Sequence, residues 1–402
     1  MIVEPGKQYD VRINLSSEGE KITINGNTSK IDKLYNTFPN HEHPQFDELW
    51  SLFDSSATVI RETLLERKNQ ELSQINELYQ KGDIPIEVFN LLSQDRILYN
   101  MNVMGFIASI NVLQQLRQGH EMIDNEFMRL WHEANSSVSL SDKYFFSTIQ
   151  AFQFLGNIIW YNLYSSVAFT DAVETQTDFV NKGLRHTRNI ELSRKYLDPD
   201  VSEYYQAAYI FFNSYQKKYE KELISIMQQF KEDFPNSKYL SFISPFIDNI
   251  VAFHEKAEIE LSENILILEN YSEISSFEQA MAKFKGKRIY IDIWATWCGP
   301  CKAEFAHNEE LKEMLNSEGV EMFYISTDRD NDDEQWKNMI KFYNLEGYHI
   351  RANEILKAEL RELLNMKGIP HFVLVDENGQ VIIQDAKRPS QLAELEKQIR
   401  EN

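Results

Sequence analysis

The chain has 402 residues, of which 43% are hydrophobic, and it contains only 14 glycines and 10 prolines. This length suits two or three domains with sizeable cores, and the composition excludes collagen-like or low-complexity organisation. The formal net charge of −21 argues against a nucleic-acid partner, because the field of the chain repels a polyphosphate backbone. No apolar run reaches about 18 residues, so the sequence predicts no transmembrane helix.

Residues 1–26 have a β-like pattern. Alternating apolar and polar residues predict strands at Tyr9–Leu15 and Lys21–Asn25, with a Ser-Ser-Glu-Gly turn between them. Two strands cannot bury a core alone, so we expect that they either pair with a neighbouring domain or are the remnant of a longer β domain whose upstream residues are missing. Residues 1–10 also lack the charged and apolar segments of a secretory signal.

Residues 27–258 are predicted to form an α-helical domain. Apolar residues recur at spacings of three and four, as in Phe46, Leu49, Trp50 and Phe53, and glycine is scarce. An aromatic-rich stretch includes Phe152, Phe154, Trp160, Tyr161 and Tyr164. Its simplest interpretation is the core of a helical bundle, with a groove for a hydrophobic partner or peptide as the alternative.

Two histidines in this region are candidate metal ligands. His41 and His43 lie in a polar, proline-containing loop with no cysteine nearby. A solvated loop is the favoured interpretation, and the sequence predicts no metal site.

Residues 259–402 alternate between strand and helix patterns. Strands are predicted at Ile265–Leu268, Arg288–Trp294, Val320–Ser326, Tyr348–Ile350, His371–Asp376 and Gln380–Gln384. Helices are predicted at Ser276–Phe284, Pro300–Leu315, Asp333–Tyr343 and Asn353–Leu364, and from Ser390 onward. The Asp-Glu-Asn-Gly turn at residues 376–379 predicts a hairpin. This order indicates an α/β fold with a mixed sheet.

The two cysteines of the chain lie three residues apart, as Cys298-Gly-Pro-Cys301, between a buried strand and a helix. Two cysteines cannot form a disulfide-stapled scaffold or an all-thiolate zinc site. Cys298 falls just before the helix that Pro300 opens, where free backbone N–H groups and the helix dipole stabilise a thiolate. We therefore expect Cys298 to attack and the less exposed Cys301 to resolve. A zinc half-site shared between chains and two inert thiols are the alternatives.

The motif Trp294-Ala-Thr-Trp-Cys-Gly-Pro-Cys-Lys302, followed by Gly368-Ile-Pro370, closely resembles the thioredoxin superfamily. The resemblance covers about 140 residues and implies a thioredoxin fold, with helices on both faces of the sheet. The insertion at Gly347–Leu364 and the Cys-Lys-Ala-Glu-Phe305 sequence resemble the TlpA/ResA-like branch in its Bacteroidetes form. Ala306 departs from that branch, which often has proline there, and Gly-Pro between the cysteines is typical of general reducing thioredoxins.

This resemblance assigns roles to further residues. Asp292 aligns with a buried acid that exchanges a proton with the resolving cysteine, unless its side chain faces solvent at the end of the strand. Pro370 is expected to be cis, so that the backbone of Ile369 can bind an extended substrate segment. Substrate contacts are also expected from Trp297, Gly299 and Pro300. Trp294 and Lys302 are supporting residues, and Trp294 is expected in the apolar rim around Cys298.

The implied function is thiol-disulfide exchange with protein disulfides in the cell envelope, and no cofactor beyond the dithiol pair is expected. The resemblance implies a periplasmic location, a lipid anchor in the native precursor, and a membrane thiol transporter as electron donor. The sequence leaves open whether the pair reduces or oxidises its substrates. The alternative function is a scaffold whose helical domain recognises a protein or glycan ligand, with the redox domain as an appendage.

Overall fold

The computed structural model describes residues 9–16, 19–26, 30–35, 37–39, 51–118, 126–166 and 178–402. His41 and His43, the candidate metal ligands that the sequence disfavours, lie outside these residues. The chain divides into two compact units, one ending at Tyr209 and the other running from Ile210 to Asn402.

The first unit begins with two antiparallel strands, β1 (Tyr9–Ser16) and β2 (Gly19–Gly26), in which Tyr9 lies opposite Gly26. Both predicted strands are therefore confirmed. The helices that follow are α1 (Lys30–Tyr35), α2 (Ala57–Gln80), α3 (Ile86–Arg117), α4 (Glu126–Ser136), α5 (Ala151–Ser166), α6 (Arg185–Tyr196) and α7 (Pro199–Tyr215), which continues past Tyr209. The expected α-helical region is confirmed.

Helix α3 is the central helix of this unit. Its residues Leu98, Met101, Met104 and Ile107 are buried, and so are several polar side chains on other sides of the helix. Burial on all sides is typical of a helix that lies inside a bundle rather than on its surface.

The second unit contains a six-stranded sheet. Its elements are α8 (Glu222–Asp233), α9 (Leu240–Ala257), β3 (Ile265–Ile267), α10 (Phe277–Met281), β4 (Arg288–Trp294), α11 (Gly299–Glu304), α12 (Asn308–Ser317), β5 (Val320–Ser326), α13 (Asp333–Tyr343), β6 (Gly347–Arg351), α14 (Glu354–Leu363), β7 (His371–Val375), β8 (Val381–Ile383) and α15 (Leu392–Glu401). The strand order is β3-β6-β5-β4-β7-β8, with β7 and β8 antiparallel to their neighbours. The predicted mixed α/β sheet is confirmed.

Strand β4 is buried on both faces of the sheet. Ile289, Ile291 and Ile293 project toward α10 and α14, in one apolar cluster. The alternate residues, including Asp292 and Trp294, project to the opposite face. There the Trp294 ring packs edge-on against Phe305, with ring centroids 5.2 Å apart. Strand β4 ends at Trp294, four residues before Cys298.

One feature of this unit differs from the sequence-based expectations. The predicted helix Pro300–Leu315 is broken into α11 and α12 by a 3₁₀ turn at Phe305–His307. Helices α8 and α9 also belong to the compact unit of the sheet, and Phe253 of α9 packs on Phe342 of α13 at 5.3 Å. The domain boundary near residue 258 stays a prediction.

The predicted hairpin at residues 376–379 is confirmed between β7 and β8. Gly379 has a φ of +81°, a conformation that glycine adopts without steric cost. Its N–H donates to the carbonyl oxygen of Asp376 at 3.1 Å. Within the described residues, no helix is long and apolar enough to cross a membrane.

Candidate active site

Cys298 and Cys301 are joined by a disulfide, with their Cα atoms 5.3 Å apart. Cys298 is the N-cap of α11, and the backbone N–H of Cys301 donates to its sulfur at 3.1 Å. Pro300 lies in the first turn, where its missing N–H costs no hydrogen bond. Cys298 retains 4% exposure whereas Cys301 has none, so only the first sulfur can meet a partner.

Asp292 lies within the sheet and is 2% exposed, which rules out the alternative of a solvent-facing side chain. Its Oδ1 has no hydrogen-bond partner among the residues described. Burial raises the pKa of Asp292 well above its usual range, and the nearby Glu304 carboxylate raises it further. The group can therefore hold a proton at a pH where an exposed aspartate would have lost it.

Asp292 belongs to a row of polar side chains that crosses the sheet. It pairs in register with Tyr324 on β5, which pairs in turn with His349 on β6. The Tyr324 and His349 rings stack with centroids 4.8 Å apart, and His349 Nε2 donates to the carbonyl oxygen of Leu345 at 2.7 Å. Burial lowers the pKa of His349 to about 3, so this imidazole is neutral at physiological pH.

Lys302, directly after the motif, is 3% exposed. Its ammonium group donates to the carbonyl oxygens of Thr296 at 2.9 Å, Lys217 at 3.0 Å and Gln216 at 3.4 Å. Burial lowers the pKa of Lys302 to about 8, with further lowering from the charges of Lys217 and Lys218. Lys302 therefore ties the active-site loop to the segment that follows α7.

Sequence reasoning missed Asp328, which fixes the other side of the active-site loop. Its buried carboxylate accepts hydrogen bonds from Thr296 N–H at 2.9 Å and from Thr296 Oγ1 at 2.7 Å. Ser326 Oγ donates to the same carboxylate at 2.7 Å. The available signal was the Ser-Thr-Asp sequence at the end of a buried strand, next to the strand that carries the cysteines.

Glu304 was also missed as a site residue. It is buried, and its carboxylate accepts hydrogen bonds from Ser390 N–H at 2.9 Å and from Ser390 Oγ at 3.1 Å. A buried glutamate three residues after Cys301 places a second acid near Asp292. Only the helical spacing from Cys301 could have indicated it.

The predicted substrate-contacting residues differ in their exposure. Trp297 is 61% exposed, and Gly299 and Pro300 are exposed as well. Ile369 and Pro370 are half-buried, and the peptide bond between them is cis. Trp294, expected in the rim, is instead fully buried, because its ring lies against Phe305 on the inner face of the sheet.

The arrangement combines an attackable sulfur at a helix start, a second sulfur within bonding distance, and a buried acid on the adjoining strand. These are the requirements of thiol-disulfide exchange through a dithiol pair. In the part of the chain that the structure describes, no cluster of three or more histidine, cysteine or acidic side chains could hold a metal ion. Fold and site together define a protein of the thioredoxin-fold redox class.

Comparison with known proteins supports this class. Residues 286–381 match the Thioredoxin-like family. A ResA thiol-disulfide oxidoreductase from Bacillus thuringiensis is 32% identical over 118 residues, which cover 29% of this chain and 65% of the relative. ResA from Geobacillus kaustophilus is 26% identical and is covered to 60%. The chain therefore spans less than two thirds of these curated relatives.

A solved structure of a Bacteroides vulgatus protein, described as a thiol-disulfide oxidoreductase, is 34% identical to the matched region. The match covers 28% of this chain and 70% of that protein, with a TM-score of 0.25. Through its carboxy-terminal region, the chain belongs to the thioredoxin superfamily, in the TlpA/ResA-like branch.

Proposed function

We propose that the protein is a thiol-disulfide oxidoreductase that reduces or exchanges disulfides of other envelope proteins through Cys298 and Cys301. The observation that carries the proposal is the Cys298–Cys301 disulfide at the start of α11, in which Cys298 is the more exposed of the two cysteines. The similarity to ResA proteins over the same region supports it.

In the reductive direction, the thiolate of Cys298 attacks one sulfur of a substrate disulfide. The substrate S–S bond breaks, a mixed disulfide forms on Cys298, and the departing substrate thiolate takes up a proton. Cys301 then loses its proton and attacks the sulfur of Cys298, which releases the second substrate thiolate. The substrate gains two electrons, and the pair is left as the Cys298–Cys301 disulfide.

In this proposal Asp292 accepts the proton of Cys301. Burial raises the pKa of Asp292, so its ionised carboxylate is a stronger base than that of an exposed aspartate. Trp297, Gly299, Pro300 and the backbone around Ile369–Pro370 bind the substrate segment. Contacts made mainly through backbone groups give weak sequence selectivity.

The cycle requires a second dithiol that returns two electrons to the pair. We assign this role to an envelope thiol carrier, for which a membrane thiol transporter is the candidate. A periplasmic location and a lipid anchor on the native precursor belong to the same proposal. They rest on the resemblance to the TlpA/ResA-like branch.

Insulin reduction by dithiothreitol tests the activity, because reduced insulin B chain precipitates. The wild-type protein should accelerate precipitation, whereas Cys298→Ser should be inactive. Cys301→Ser should accumulate a mixed disulfide on Cys298, detectable by mass. Equal rates with wild-type protein and with Cys298→Ser would contradict the proposal. The matched control is Ile355→Ala, at a side chain that is 67% exposed on α14, which leaves both sulfurs in place and should keep the wild-type rate.

A second candidate function, ligand recognition by the helical unit, is favoured by one specific observation, an aromatic cavity in that unit.

A further inference from the structure

The helical unit contains a cavity of about 810 Å³ that is unrelated to the cysteine pair. Its walls come from α3, α4, α5 and α7, and they include Phe106, Trp131, Phe152, Trp160 and Tyr205. Phe152, Trp160 and Tyr164 were expected in the core of the bundle, but they are half-buried and line this space. The volume falls in the range of sites that hold small molecules.

The surface of the cavity is mainly apolar, and none of its described lining residues is charged. Its polar lining residues are Asn102, Ser109, Gln153, Asn157, Asn189 and three tyrosines. Asn157 Nδ2 donates to Asn102 Oδ1 at 3.0 Å, and Asn102 Nδ2 donates to the carbonyl oxygen of Gln150 at 3.0 Å, so these amides are held in place. Burial raises the pKa of Tyr205, which keeps its hydroxyl neutral. A charged ligand would lose its hydration without gaining a counter-charge.

Gly156 is a second, independent observation. It lies within α5, where glycine weakens a helix relative to alanine, and it lines the cavity. A Cβ added at Gly156 would meet no atom of the described residues within 4 Å. By contrast, a Cβ at Gly105 of α3 would touch Asn157 and Trp131 at 3.5 Å. Contacts among the described residues therefore do not require a glycine at position 156, whereas a ligand in the space beside it would.

We propose that this cavity is a binding site for a small neutral molecule with an apolar, ring-containing body and few hydrogen-bonding groups. The aromatic walls would pack against the rings of such a molecule. A glycan fits poorly, because most of its hydroxyl groups would lose their hydrogen bonds to water against these walls.

The test uses N-phenyl-1-naphthylamine, an uncharged two-ring fluorophore with one N–H, titrated into the full chain. We expect saturable binding with a blue-shifted emission. Gly156→Leu fills the space beside α5 and should weaken binding at least tenfold while leaving the melting temperature unchanged or higher. Trp160→Ser removes a half-buried ring from the cavity wall and should weaken binding as well. This second variant tests the proposal even if Gly156→Leu does not fold.

Phe242→Ala is the matched control, because Phe242 is 68% exposed and lies outside the cavity. It should bind the probe like the wild type, which excludes general adsorption to exposed rings. Non-saturable binding, or equal affinity in the wild type, Gly156→Leu and Trp160→Ser, would overturn the proposal. Tighter binding of an oligosaccharide than of the probe would overturn the proposed ligand class.

Discussion

Asp292 on β4 pairs in register with Tyr324 on β5, so the two side chains project from the same face of the sheet, which also carries Trp294. The pKa of Tyr324 is raised by burial and then by the Asp292 charge, so its hydroxyl stays neutral. The acid assigned to proton exchange thus lies in a buried layer beside the neutral Tyr324, with the Glu304 carboxylate nearby. The charged and titratable groups in and around this layer should therefore govern both the stability and the chemistry of the unit.

Replacing Asp292 should stabilise the protein while impairing its chemistry. An unfolded aspartate ionises near pH 3.8, whereas the buried one keeps its proton to higher pH. Above pH 3.8 the unfolded state therefore binds fewer protons, and stability falls as pH rises. Asp292→Asn, which cannot ionise, should raise the unfolding free energy at pH 7 by at least about 1 kcal/mol. Urea unfolding measures this.

The increase in unfolding free energy of Asp292→Asn should disappear at pH 3, where the Asp292 carboxyl is protonated in the folded and the unfolded state. Glu377→Gln, in the exposed turn before Gly379, is the control and should show no gain. In stopped-flow assays, resolution of the mixed disulfide should slow at least tenfold in Asp292→Asn, with attack by Cys298 changed less. Unchanged resolution would remove Asp292 from the mechanism.

Lys302 should make stability rise at alkaline pH. Its pKa is about 8 in the folded protein and 10.5 for an unperturbed lysine, so between these values the unfolded state binds more protons. Stability of the wild type should therefore increase from pH 8 to pH 10, relative to Lys302→Met. Lys302→Arg keeps the donors but cannot lose its proton, so it should also lack the rise. Parallel pH profiles in all three proteins would show that Lys302 does not titrate there.

His349 should make stability fall as the pH decreases, whereas Asp292 makes stability fall as the pH rises. Its folded pKa of about 3 lies below the usual 6.5, so the unfolded state binds the extra proton as pH falls. Its contribution is fully present above pH 6.5 and is lost progressively toward pH 3. His349→Phe, which keeps a ring against Tyr324, should have a flatter profile between these limits. Thermal unfolding across this range would measure the slope, and an identical slope would count against a buried neutral imidazole.

Trp297 should contribute to substrate binding rather than to bond exchange. Its ring is 61% exposed next to Cys298, and a protein substrate would cover it. Trp297→Ala should raise KM for a protein disulfide about fivefold, or ~1 kcal/mol, with kcat little changed. Ile355→Ala, at a side chain that is 67% exposed on α14, is the matched control. A loss confined to kcat would mean that Trp297 acts on the cysteines themselves.

Local patterns in the sequence were sufficient to predict most of the second unit. The apolar residues of Arg288–Trp294 predicted a buried strand, and Ile291 and Ile293 on either side of Asp292 indicated that this carboxyl would lie in an apolar strand. Pro300 marked the start of α11 because proline is tolerated in the first helical turn.

Contacts between distant segments were not predictable. The Lys302 ammonium group donates a hydrogen bond to the carbonyl oxygen of Lys217, which lies 85 residues earlier in the sequence. No local signal indicates that contact. The same holds for Asp328 and Thr296, which are brought together by the pairing of β4 with β5. The Trp294 prediction was wrong because strand alternation places that ring on the inner face, against Phe305.

The proposed redox cycle is tested most directly by the equilibrium between the Cys298–Cys301 pair and a glutathione buffer, followed by thiol alkylation and mass. We predict two-electron cycling with a potential near that of a reducing thioredoxin, about −270 mV. Cys298→Ser and Cys301→Ser should both lose this transition. A potential near about −120 mV would contradict the reductive direction, and a pair that never exchanges with glutathione would contradict the catalytic role itself.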